Sequence, residues 1–66
     1  SRIKYVVVML RHIIENLNEP LSANDVAQVV GLHPNYALHL FSNVMRVPLK
    51  QFIIRLRLVR ARTLLS

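Results

Sequence analysis

The chain has 66 residues, of which 53% are hydrophobic, with nine Lys or Arg against three Asp or Glu, a net charge of +6 and no cysteine. That length holds one small domain and excludes an enzyme with its site between two domains; the missing cysteines exclude disulfides, thiolate metal sites and cysteine nucleophiles. A domain this small buries only about 60% of the surface its unfolded chain exposes, so an apolar content this high leaves surface over for a partner.

Three prolines and one glycine divide the chain into segments that all read as helix. The first helix is expected over residues 3–17. Val6, Met9, Leu10, Ile13, Ile14 and Leu17 recur there at steps of three and four, an amphipathic stripe with Arg11, His12 and Glu15 elsewhere on the cylinder. The run Val6-Val7-Val8 also suits a strand, but no second segment offers it a pairing partner. Asn18, Glu19 and Pro20 end the helix.

A helix-turn-helix is expected over residues 22–45. Ser22 and Asp25 have the spacing of a capping pair, and the helix they open closes at Gly31, where a left-handed turn costs glycine nothing. Pro34 then starts a helix over residues 34–45, since a proline at the first helical position gives up an amide that would be unpaired anyway. Ala27 and Ala37 are small enough to let the two helices cross closely. Val26, Val30, Leu32, Leu40 and Phe41 fill the wedge between them and Ile14 of the first helix. A fourth helix is expected over residues 48–65. It has two apolar sides, one with Leu49, Phe52, Ile53 and Leu56, the other with Ile54, Leu58, Ala61 and Leu65.

The charge is uneven. Through Met45, Arg2, Lys4 and Arg11 balance Glu15, Glu19 and Asp25; Arg46, Lys50, Arg55, Arg57, Arg60 and Arg62 follow with no acid among them. A helix-turn-helix followed by an arginine-rich segment points to double-stranded DNA, with the helix over 34–45 as the recognition helix in the major groove. The side of that helix opposite Ala37, Leu40 and Phe41 carries Asn35, Leu38 and His39. Asparagine pairs bidentately with adenine, histidine donates to guanine or phosphate, and leucine packs on a thymine methyl. Tyr36 is expected to lay its ring over the first helix. Arg46, Lys50 and Arg57 are the expected phosphate contacts, supplying affinity and salt dependence without reading sequence.

Over residues 13–65 the chain resembles the AraC/XylS family of transcription regulators. The resemblance rests on Pro20-Leu21-Ser22 leading into Asp25-Val26-Ala27, on residues 35–41, on Lys50-Gln51-Phe52-Ile53, and on Arg57-Leu58 followed by Ala61 and Leu64-Leu65. It implies two helix-turn-helix units joined by a long linker helix, with both recognition helices in successive major grooves and base contacts at Asn35, Leu38 and His39. This chain matches the first unit and the linker helix. Arg46 stands where the family usually has glycine, while His33 and Pro48 stand where it usually has capping serines.

The expected fold is therefore all-α, a small helical bundle containing a helix-turn-helix and followed by a linker helix. The second unit is expected to be absent from the chain, and the face with Ile54, Leu58, Ala61 and Leu65 to receive that unit or a homodimer partner. No catalytic residues, metal site or cofactor are expected: His12, His33 and His39 lie on different helices or faces, and no phosphate-binding glycine loop is present. The longest apolar run, residues 5–10, is far short of the roughly 20 needed to span a bilayer, so no membrane partner and a cytoplasmic location are expected. The alternative reading is a basic amphipathic module that binds an acidic partner protein or an anionic membrane surface.

Overall fold

The computed structural model describes residues 1–65, apart from the side chain of Leu65, and folds them into α1 (Arg2–Glu15), α2 (Ala23–Val30), α3 (Pro34–Met45) and α4 (Leu49–Leu65). There is no strand among the described residues, and the valine run of α1 is helical. Val6, Met9, Ile13 and Leu17 form the buried side of the first segment, closing over Val26 and Ala27 of α2, over Ala37, Leu40 and Phe41 of α3, and over Leu49 and Ile53 at the start of α4. The rings of Phe41 and Phe52 meet edge to face, 5.4 Å between centroids, which fixes the first turns of α4 against α3.

Four details differ from the sequence reading. α1 stops two residues earlier than expected, because Asn16 leaves helical geometry and both its main-chain N–H and its side-chain amide donate to the carbonyl of His12, at 3.1 and 2.9 Å. Ile14 is not in the wedge between the helices: it is 57% exposed, and the buried position belongs to Ile13, one residue and about 100° away. Tyr36 is exposed rather than laid over α1. Pro48 precedes α4 instead of entering it, its carbonyl accepting from the N–H of Phe52.

The helix ends position α3. Ser22 and Asp25 form a reciprocal capping box: the serine hydroxyl accepts from the N–H of Asp25 while the carboxylate accepts from the N–H of Ser22, both at 3.2 Å. Gly31, at φ 70°, closes α2 with the paired bonds of a Schellman turn, Gly31 N–H to the Gln28 carbonyl and Leu32 N–H to that of Ala27. Arg46 closes α3 in the same left-handed region, φ 61°, with one bond to the Ser42 carbonyl. The two turns look alike, yet Arg46 carries a Cβ that this region penalises.

After Leu56 no described side chain of α4 is buried, so the helix leaves the core. Arg57 braces the exit, its Nε donating to the Leu17 carbonyl (3.2 Å) and its terminal nitrogen to that of Glu19 (2.9 Å). Ile54, Leu58 and Ala61 stay exposed on the outer side. Leu65, expected with them, lies outside the described side chains. No helix among the described residues is long and apolar enough to cross a membrane.

Denaturant titration checks two consequences. Because nothing lies within 4 Å of a Cβ added at Gly31, Gly31→Ala carries only the conformational penalty and should cost about 1 kcal/mol, whereas Arg46→Gly should gain about as much. Ile13→Ala, which empties a fully buried site, should cost about 2 to 5 kcal/mol, and its exposed neighbour Ile14→Ala about 0.5 kcal/mol or less.

Candidate nucleic-acid interface

α3 buries Ala37, Leu40 and Phe41, which leaves Asn35 and His39 exposed on the opposite side and Leu38 at its edge, 37% exposed. Its start is held by His33, whose Nδ1 accepts from the N–H of Asn35 at 3.2 Å and so replaces the usual hydroxyl cap, while Pro34 removes an adjacent free donor. The main chain of Asn35 is thereby fixed, and its side chain points outward from the first turn. One turn on, the Ser42 hydroxyl donates to the His39 carbonyl at 3.3 Å.

Asn35, Leu38, His39 and Ser42 line a single open depression, completed by Pro48, Leu49 and Lys50 from the start of α4. All three expected base contacts and one expected phosphate contact are thus brought together. The positive end of α4 opens there as well, so Lys50 and the helix N-terminus act in the same direction on an anion.

The other two basic residues do not line this depression. Arg46 sits about 16 Å further along the helix axis than Asn35 and shares a hollow with Ser1, Arg2, Ile3, Asn43 and Val44. Arg57, expected to contact phosphate, is exposed and lines an adjoining cleft with Lys50, while two of its donors go to the Leu17 and Glu19 carbonyls. That clamp leaves no local trace in the sequence, since its acceptors are main-chain atoms some 40 residues earlier. Sequence reasoning also missed Ser42 as a lining residue, although its place three residues after His39 puts it on the same side of the helix. Leu38 proves to face two ways, lining the depression and also the adjoining cleft that Leu49, Ile53 and Ile54 share with Lys50 and Arg57. Among the described residues no group of three or more His, Asp or Glu stands where it could hold a metal ion.

No family model matches the chain, and no solved structure matches it. Two curated proteins do: the melibiose operon regulatory proteins of Escherichia coli strain K12 and of an O6:H1 strain of that species, each 45% identical over 62 residues, which is 94% of this chain. The chain spans about one fifth of the length of these relatives, 20% in each case. A stretch of that length takes in α2, α3 and most of α4, so the similarity to these regulatory proteins extends over the residues that line the depression.

Proposed function

We propose that this chain is a sequence-specific DNA-binding module of a bacterial transcription regulator, acting in the cytoplasm with α3 in the major groove. Asn35, Leu38 and His39 read base edges; Lys50, helped by the N-terminus of α4, takes the phosphate beside them, and Arg46 takes one near the far end of α3. Arg57 belongs to the fold: its bonds to Leu17 and Glu19 set the direction of α4. The exposed face of Ile54, Leu58 and Ala61 is the seat of a second helix-turn-helix unit or of a homodimer partner.

The observation that supports this most is the single depression holding Asn35, Leu38, His39 and Lys50, on the one side of α3 that the core does not need. A generic three-helix bundle has no reason to collect an amide, an imidazole and an ammonium there. The excess charge of the chain lies from Arg46 onward, and Lys50 carries part of it into the depression, where a polyanion would gain from it.

The test is binding to a duplex enriched by the chain from a randomised pool, followed by anisotropy across a range of salt. Asn35→Ala and His39→Ala should each cost on the order of 1 to 3 kcal/mol and flatten the preference at the base they read. Lys50→Gln should weaken all duplexes alike and reduce the slope of log affinity against log salt by about 0.9. Arg57→Gln should leave that slope unchanged while lowering the stability of the fold. Variants that bind every duplex as the parent does would remove these residues from the interface.

A further inference from the structure

The core uses one side of α1 and leaves a second apolar stripe beside it. Ile3 (64% exposed), Val7, Leu10 and Ile14 follow one another at steps of four, three and four, within an arc of about 60°. Ile3, Val7 and Ile14 are more than half exposed, and Leu10 is packed partly against the core. None of them lines the depression between α3 and α4. Three large aliphatic side chains in one file on a 14-residue helix are more than scattered surface hydrophobes.

We propose that this stripe docks an amphipathic partner helix that carries carboxylates along one flank. The spacing selects a helix, because alternating steps of three and four are what knobs-into-holes packing of two helices requires. The charge selects the chemistry. On one side the stripe is bordered by Val6 and Ile13, which are committed to the domain's own core; on the other it is bordered by Lys4 and Arg11, seven residues apart and both exposed, with Glu15 further round the helix. The free flank therefore carries a cation excess, Lys4 and Arg11 lying nearer the stripe than Glu15. A second copy of the chain fits poorly: antiparallel pairing sets like flanks together and brings Lys4 beside the other copy's arginine, while parallel pairing needs the flank that the core occupies. A partner with glutamate or aspartate at the facing positions turns both cations into attractive contacts. The seam is on the order of 17 Å long, which makes the contact smaller than a standard interface and its affinity modest and sensitive to salt.

The experiment is calorimetric titration of the whole chain with two synthetic helices of about three heptads, leucine at the seam and either glutamate or lysine on both flanks. The glutamate peptide should bind roughly five- to tenfold more tightly than the lysine peptide, with the difference shrinking at high salt. Val7→Asp should abolish the binding with the helical circular dichroism unchanged, since Val7 is outside the core. Lys4→Glu combined with Arg11→Glu should reverse the preference between the peptides. Equal binding of both peptides, or binding of neither, would overturn the proposal. So would sedimentation of the chain as a dimer that Val7→Asp dissolves, or uptake onto phosphatidylglycerol vesicles without preference between the peptides.

Discussion

Burial of Ala37, Leu40 and Phe41 along one side of α3 is the constraint from which the rest of the molecule follows. These three residues fill the space under α1 and α2, and Ala27 and Ala37 are small enough to let the two helices of the motif approach. Once that side is committed, the rotation of α3 about its axis is fixed. Asn35 and His39 then have nowhere to go but outward, and the Schellman turn at Gly31 together with the His33 cap sets where the helix begins. The chemistry of the outer side is thus a consequence of packing on the inner one.

A division of labour among the basic residues follows from the same geometry. Lys50 is delivered to the depression because Leu49 and Ile53 anchor the first turns of α4 in the core and Phe52 meets Phe41 edge to face. Further along, Arg57 gives two donors to main-chain carbonyls just after α1, so a residue type that suits phosphate also holds one helix against the loop between two others. The charge total of the second half therefore overstates the number of groups free to meet an anion.

Much of this was legible in the residues. The all-helical fold, the bounds of α3 and the outward placement of Asn35 and His39 follow from local rules of periodicity, capping and turn chemistry, and Gly31 and Ser22 act as those rules require. Arg46 adopts the left-handed conformation that its position demands in spite of its side chain. What the sequence withheld was mostly tertiary. Periodicity could not separate Ile13 from Ile14, because both fall on the broad apolar side of α1 and only the position of α2 and α3 decides between them. The Arg57 clamp was hidden because main-chain carbonyls have no residue identity to read. The early end of α1 turned on an asparagine whose side chain competes for the same carbonyl as its own backbone. The excess of apolar composition over available core is likewise resolved only in three dimensions, into the outer sides of α1 and α4.

The central claim is that the outward side of α3, with Lys50 beside it, is the surface that meets DNA. Amide and side-chain NMR shifts of the labelled chain, recorded as the enriched duplex is added, test it most directly. The largest changes should fall at Asn35, Leu38, His39, Ser42 and Lys50, with the outer stripe of α1 unaffected. Changes concentrated on Ile3, Val7 and Ile14, or confined to the exposed end of α4 while α3 stays silent, would contradict it.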